Sequence, residues 1–424
     1  MGGPRMTELT YLVGDVHERL REIPDGSIDL IVTSPPFLAL RSYLPADHPD
    51  KGKEIGSEAT PAAFLDTLLA LTAEWGRVLA PHGSLCVELG DTYSGSGQGP
   101  DDLSYAAGAI NGGRRQPKAG WPLAKSLTGI PTLYPWSLAY GRNLLTGQES
   151  PAGRWRIRNI IVWARPNPPV GALGDKFRPA TSYITVACQG PRRYFDLDAV
   201  RTEYKNPERL GQPISHTKTE VDYGEGVKSA WSNQIGMVVE DRGGAPPLDW
   251  HTDHHPEDGD WLWKLPTQPY KGAHYATFPL ELPTRLIMAM CPLRVCATCG
   301  KPSERIVDVE NLVDGVTIDE FVTDHEPQRR SGWDEFAANP HAKGIQAALH
   351  INNNRLSQRR STSGWSDCGH DTWRTGRVLD PFAGSGTTLQ AAQNVGRHAT
   401  GIDLDPRNAH LAQDRVGMFL EVNP

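Results

Sequence analysis

The run Ile28-Asp29-Leu30-Ile31-Val32 passes straight into Thr33-Ser34-Pro35-Pro36-Phe37, and this junction restricts the fold more than any other stretch. A compact apolar run of this kind suits a strand buried on both faces in a parallel sheet. The two prolines stop it, because neither can donate to a ladder and each turns the residue before it away from helix. Upstream, residues 9–13 read as a strand that runs into Gly14-Asp15, followed by a helical pattern from His17 to Ile23. Downstream, Phe64, Leu68, Leu69, Leu71, Trp75 and Leu79 recur at helical spacing, and a Pro81-His82-Gly83 turn leads into a strand over 84–89. That alternation is the rhythm of a doubly wound α/β sheet.

The same rhythm returns at the other end of the chain. Residues 377–379 read as a strand, 388–393 as a helix, 398–402 as a strand and 408–420 as a helix. Between the two ends, 157–164 and 183–187 read as strands and 283–290 as a helix. Residues 94–136 are Gly- and Pro-punctuated and read as a mobile insertion, and 327–363 as a flexible stretch. A chain of 424 residues with 43 Gly and 35 Pro fits a catalytic core with additions joined by long, turn-rich connections. No apolar run approaches the roughly 20 residues of a membrane span, and no basic-then-apolar leader begins the chain, so a cytoplasmic protein is expected. Six Cys do not make a disulfide scaffold at this length; clustered Cys in a reducing compartment point to metal.

Val378 to Thr388, V-L-D-P-F-A-G-S-G-T-T, reads as a strand, a tight Gly turn and a helix start. The dinucleotide fingerprint fails because Leu389 stands where its third Gly belongs, and the phosphate-binding loop fails because no Lys precedes Thr387. What remains is a Gly turn without phosphate demand, fitting a nucleoside such as S-adenosylmethionine. About twenty residues on, Asp403 ends the next strand, where a carboxylate can accept from both ribose hydroxyls. The plain alternative is an ordinary βα turn with a solvent-facing Asp.

With T-S-P-P-F near the N-terminus and D-P-F-x-G-S-G-T-T near the C-terminus, the chain resembles the permuted β-class DNA amino-methyltransferases. His274-Tyr275-Ala276-Thr277-Phe278-Pro279 resembles that family's cofactor-side motif, and Gly14-Asp15 stands in the place of its acidic residue near the adenine ring. The resemblance covers roughly residues 9–100, 155–200, 270–290 and 375–420. It implies a Rossmann-like S-adenosylmethionine-dependent methyltransferase fold with permuted motif order. It implies that Ser34, Pro35, Pro36 and Phe37 carry the chemistry. It also places the cofactor on Asp15, Thr33, His274, Ala276, Thr277, Asp380, Phe382, Gly384, Ser385, Gly386, Thr387 and Asp403.

An exocyclic amino nitrogen is a poor nucleophile because its lone pair is delocalised into the ring. Ser34 Oγ and the Pro35 carbonyl are the expected acceptors for its two N–H groups, and Phe37 is expected to stack on a base extracted from the duplex. The family's usual form is S-P-P-[YF] for cytosine N4 and D-P-P-Y or N-P-P-Y for adenine N6. Ser34 therefore favours cytosine: its hydroxyl can accept from the amino group and donate to the neighbouring ring nitrogen. Adenine N6 is the alternative. Carbon-5 methylation is not expected, since it needs a Cys nucleophile, no Pro-Cys-Gln appears, and Ala187-Cys188-Gln189 reads as core. A catalytically idle zinc-containing DNA-binding protein on the same scaffold is the rival from another class.

Cys296-x-x-Cys299-Gly300 reads as a zinc knuckle, and Cys368-Gly369-His370 completes a four-ligand set, although one intervening residue is a tight spacing. Cys291, His325, His341 and His350 are substitutes. The domain reading is a catalytic part over 1–200 with the insertion at about 94–136, and a target-recognition region over 201–268. The cofactor-side motif and helix follow over 269–290, a zinc-binding insert over 291–373 and the cofactor-binding part over 374–424. Net charge is −7, yet residues 154–209 are rich in Arg and Lys, which fits a phosphate backbone as partner. Double-stranded DNA is the expected partner, in a prokaryotic or viral setting. Monomer or homodimer, and a cognate restriction enzyme, stay open.

Overall fold

The structure is a computed structural model, described for residues 7–40, 43–95, 119–168, 177–201, 263, 265–266, 278–313, 316–317 and 356–423. The chain divides into two compact units. One comprises Met1–Ala199, Leu248–Glu304 and Asp367–Pro424, the other Val200–Pro247 and Arg305–Ser366.

In the first unit the strands are β1 (Leu9–Val13), β2 (Ile28–Thr33), β3 (Leu79–Leu89), β4 (Arg156–Ala164), β5 (Thr181–Cys188) and β6 (Arg294–Cys296). After the excursion into the second unit come β10 (Trp373–Thr375), β11 (Arg377–Asp380), β12 (His398–Asp403) and β13 (Leu420–Asn423). The helices are α1 (Val16–Leu20), α2 (Pro61–Val78), α3 (Ile130–Tyr140), α4 (Glu281–Met290), α5 (Thr387–Asn394) and α6 (Pro406–Val416). Eight strands form one sheet in the order β13-β1-β12-β11-β2-β3-β5-β4. Pairing is parallel from β13 to β3 and antiparallel at β5 and β4.

The order explains where a ligand can lie. From β11 the chain runs through α5 to β12 on one side, and from β2 through α2 to β3 on the other. The direction of winding therefore reverses between β11 and β2, and a crevice opens beyond their carboxyl ends. Neither the chain's starting point nor the order of the two halves moves that crevice.

Ile31, Leu85, Val87, Leu89 and Leu379 share one apolar cluster with α1, α2 and α3. The alternate residues Leu30, Val32 and Cys86 are buried as well, so both faces of the sheet are covered and the strands read as continuous apolar runs. One exception is Asp29, fully buried on β2. Arg374 donates to both its oxygens at 2.6 and 2.9 Å, Arg377 N donates at 2.8 Å, and His82 Nε2 lies 2.9 Å away. Burial pushes the Asp29 carboxyl up, but the His82 and Arg374 partners outweigh it and hold it below the usual carboxylate range.

Two local expectations change. Residues 130–140 form α3, which begins within the 94–136 stretch expected to be an insertion loop. Pro131 lies in the first turn, where a missing N–H costs nothing. Pro135 sits inside the helix, but Tyr134 and Leu138, four apart, are fully buried and Tyr134 Oη bonds Thr72 Oγ1 at 2.7 Å. That packing outweighs the proline penalty. In the second unit, β7 (Arg305–Val313), β8 (Val316–Thr317) and β9 (Leu356–Trp365) form an antiparallel sheet, and β9 enters the stretch expected to be flexible. Its polar composition hid it: pairing with β7, from Val313↔Leu356 to Arg305↔Trp365, is what makes it a strand.

Candidate active site

The two signature motifs, separated by some 350 residues of chain, meet because β2 and β11 are neighbours, with Leu30 beside Val378 and Ile31 beside Leu379. Thr33 Oγ1 donates to Asp380 Oδ1 at 2.7 Å. Phe382 N donates to the same oxygen at 3.1 Å and Thr388 Oγ1 to Oδ2 at 2.6 Å. Asp380 thus ties the end of β2 to the Gly turn and to α5. Burial pushes its carboxyl up to about 6, against these three donors.

The turn itself is held from both sides. Gly384 (φ 50°) donates its N–H to Asp403 Oδ2 at 2.9 Å, and its carbonyl accepts from Tyr11 Oη at 2.6 Å. Gly386 starts α5 at φ 78°, a backbone that residues with a Cβ rarely adopt. Asp403 ends β12 and also accepts from Asp405 N and Asn408 Nδ2, each at 2.9 Å. Burial pushes the Asp403 carboxyl up to about 6, with the Asp405 charge adding to the rise. Asp15 stands one strand away, at the end of β1, and its Oδ1 caps α1 through His17 N and Glu18 N. Ser385 and Thr387 are buried, and Arg415 Nη2 reaches Ser385 Oγ at 3.2 Å. Phe382 packs on the core, its ring 6.5 Å from Trp75. His274, Ala276 and Thr277 lie outside the described residues, as do nearly all of residues 201–268.

Of the four residues expected to carry the chemistry, Pro35 is buried, Ser34, Pro36 and Phe37 are half-buried, and Phe37 rests against the core cluster. Ser34 Oγ donates to Glu88 Oε2 at 2.5 Å. Glu88 lies near the carboxyl end of β3 and is buried. Burial pushes its carboxyl above the usual glutamate range, against the Ser182 and Ser34 hydroxyls and the Arg165 guanidinium. Sequence reasoning passed over both Glu88 and Tyr11. For Glu88 a signal existed: a carboxylate inside the apolar strand Leu85-Cys86-Val87-Glu88-Leu89 is costly to bury without a purpose. For Tyr11 there was none, since a Tyr in a buried strand is ordinary.

A second cluster lies on β6 and the segment leading into β10. The ligand atoms of Cys296, Cys299, Cys368 and His370 all fall within 4.8 Å of one another. Cys296 Sγ is 3.7 Å from His370 Nδ1, which is 3.4 Å from Cys368 Sγ, and Cys299 N donates to Cys296 Sγ at 3.4 Å. The tight Cys-x-His spacing works because β6 and β10 pair, placing Trp373 opposite Cys296, and because Gly369 (φ 79°) turns the chain sharply. Three thiols and an imidazole at this separation are a donor set suited to tetrahedral zinc. Cys291 stays apart, fully buried beneath Arg397, and His325, His341 and His350 lie outside the described residues.

Comparison with known proteins gives a consistent answer. Residues 28–294 and 372–414 match the N6/N4-type family described as DNA methylase. Type II methyltransferase M.Cfr9I of Citrobacter freundii is 28% identical over 282 residues, covering 66% of this chain and 72% of the relative. Type II methyltransferase M.SfiI of Streptomyces fimbriatus is 24% identical over 423 residues, covering 96% and 90%. Among solved structures, the cytosine-N4-specific PvuII DNA methyltransferase aligns over 97% of this chain and 87% of its own, with TM-score 0.47 and 12% identity. With most of its length matched, including both strands that meet at the crevice, this chain belongs to the N6/N4 family of DNA methylases, the DNA amino-methyltransferases.

Proposed function

We propose that the chain transfers a methyl group from S-adenosylmethionine to the N4 amino group of cytosine in duplex DNA, with the target base flipped into the crevice between β2 and β11. The observation that carries this reading is the Ser34–Glu88 hydrogen bond beside the Thr33–Asp380 tie. Because Ser34 donates its only proton to Glu88, its oxygen is presented to the crevice as an acceptor. An amino group bound there, with the Pro35 carbonyl as second acceptor, has its lone pair drawn out of the ring. When the nitrogen gains the methyl it becomes cationic and must lose a proton; Ser34 can pass that proton to Glu88, whose raised affinity for it suits the task. Phe37 supplies a stacking face, worth roughly 1–3 kcal/mol per base.

S-adenosylmethionine would supply an electrophilic methyl on a sulfonium. The residues present fit it. Around the turn at Gly384 and Gly386, Asp380, Asp403 and Asp405 gather negative charge, which suits a phosphate-free ligand bearing a sulfonium. Asp403 would take the ribose hydroxyls and Asp15 would lie toward the adenine. Ser385, Gly386, Thr387 and Phe382 would line the pocket, joined by His274, Ala276 and Thr277 as the resemblance implies. Asp403→Asn is expected to weaken cofactor binding roughly 10- to 100-fold, the value of one or two charge-assisted hydrogen bonds. A positive ligand favours ionised Asp380 and Asp403, both pushed up to about 6, so cofactor affinity should fall as pH drops through 6. Calorimetric titration at pH 5.5 and 7.5 checks the sign; equal affinities would remove these two carboxylates from the pocket.

The choice of cytosine rests on the Ser34-Pro35-Pro36-Phe37 pattern. With its proton given to Glu88, Ser34 does not donate to a ring nitrogen in this arrangement, so that part of the sequence argument for cytosine drops out. Incubation with S-adenosylmethionine and mixed-sequence DNA, followed by nucleoside mass spectrometry, is expected to yield 4-methylcytosine. Detection of 6-methyladenine alone would reverse the assignment, and no methylated base would leave a DNA-binding protein without turnover. Cys296, Cys299, Cys368 and His370 would hold a structural zinc, remote from the transfer chemistry.

A further inference from the structure

The reach of Phe37 toward a base depends on two glycines. A Cβ built on Gly90 would lie 2.5 Å from Phe37 Cε2, 3.0 Å from Cδ2 and 3.3 Å from Cζ, so the ring rests directly on the Gly90 α-carbon. A Cβ on Gly56 (φ 90°) would come within 2.9 Å of the Phe37 carbonyl oxygen and 3.3 Å of Pro36 Cβ. The Phe37 backbone cannot easily retreat. Two prolines precede it, Leu40 N donates to its carbonyl at 3.3 Å, and Ala39 N donates to Gly56 O at 2.7 Å. Gly90 is equally fixed. Leu89 before it is paired with Tyr183 in the sheet, and the carboxylate of Asp91 after it accepts from Thr92 N at 2.8 Å, Thr128 Oγ1 at 2.5 Å and Gly129 N at 3.0 Å. With both backbones held, a side chain at position 90 can be accommodated only by turning the ring.

We propose that Gly90 is a positioning residue for target-base entry: its bare α-carbon is the wall on which Phe37 rests, and it sets the plane of the ring and the width of the slot beside Ser34. Residues 88 and 90 on one strand end then serve the two halves of the same site, Glu88 through Ser34 and Gly90 through Phe37. The inference rests on the proposed stacking of the flipped base on Phe37, and it adds a determinant that neither signature motif contains. Misplacing a group that positions a reactant by about 1 Å can cost 10²-fold in rate.

The test compares the full-length protein with Gly90→Ala, Phe37→Ala and the double variant. Melting temperature, cofactor affinity by calorimetry, and methyl transfer from radiolabelled S-adenosylmethionine to unmethylated mixed-sequence DNA are measured for each. Gly90→Ala is expected to lower kcat/KM for DNA by about tenfold or more while cofactor affinity stays within about twofold. It should lower the melting temperature when Phe37 is present and leave it nearly unchanged in the Phe37→Ala background, because the clash partner is gone. An equal melting penalty in both backgrounds, or undiminished transfer by Gly90→Ala, overturns the proposal. A wild-type protein that methylates no DNA would defeat the functional reading instead, while the melting cycle would still report whether the ring rests on Gly90.

Discussion

Glu88→Gln is expected to reduce turnover by about 10²–10⁴-fold, the usual contribution of a positioned general base, with cofactor affinity nearly unchanged. Glutamine keeps the shape and an oxygen for Ser34 to donate to, but it can neither hold the Ser34 proton as tightly nor receive the proton that the methylated nitrogen must lose. Ser34→Ala should cost a similar amount, and the double variant little more, because the two residues act as a unit. The pH dependence gives an independent reading. Glu88 must be ionised to receive the proton passed through Ser34, and burial raises its pKa above that of an ordinary glutamate. Turnover at saturating cofactor should therefore fall as pH drops through that raised value. Glu88→Gln should show a flat acid limb. A Glu88→Gln enzyme with wild-type kcat, or one that keeps the wild-type acid limb, would reduce Glu88 to a buried spectator. Saturating cofactor matters here, because Asp380 and Asp403 are expected to impose a separate acid limb on binding.

Removal of the metal is expected to have the second large effect, on stability rather than chemistry. Cys296 and Cys299 lie just before the chain leaves the first unit at Glu304, and Cys368 and His370 just after it returns at Asp367. An ion held by all four closes a long loop at its root. In the chain-entropy treatment a cross-link over a loop of this length constrains the unfolded chain by about 4 kcal/mol. For a unit of this size that corresponds to a melting shift of roughly 6 °C. Purified protein should carry about one zinc per chain, and Cys296→Ser should lose it together with that margin. Amide exchange should then accelerate along β6 and β10, which pair only over Arg294–Cys296 and Trp373–Thr375. A folded chain free of zinc, indifferent to chelator, would dismiss the site. The sheet core should survive metal loss, since β11 remains paired with β2 and β12.

Much of this molecule is written locally. The buried strand ended by Ser34-Pro35-Pro36, the Gly turn at Gly384 and Gly386, the helix over residues 61–78 and the Cys-x-x-Cys knuckle depend on neighbours within a few residues, so periodicity and turn chemistry reveal them. Similarity to a family extends this to the pairing of two distant motifs. The rest is decided by contacts between segments far apart in the chain. Thr33 finds Asp380, Tyr11 finds the Gly384 carbonyl, and Asp29 finds the Arg377 N–H only because a parallel sheet joins strands without regard to their sequence separation. Likewise β9 is a strand because β7 pairs with it, and Pro135 is tolerated in α3 because Tyr134 is buried against α2. Ser34 shows the division most clearly. Its identity and its loop are local properties. That its proton goes to Glu88, so that its oxygen faces the crevice as an acceptor, follows from β3 lying beside β2, which only the assembled sheet decides.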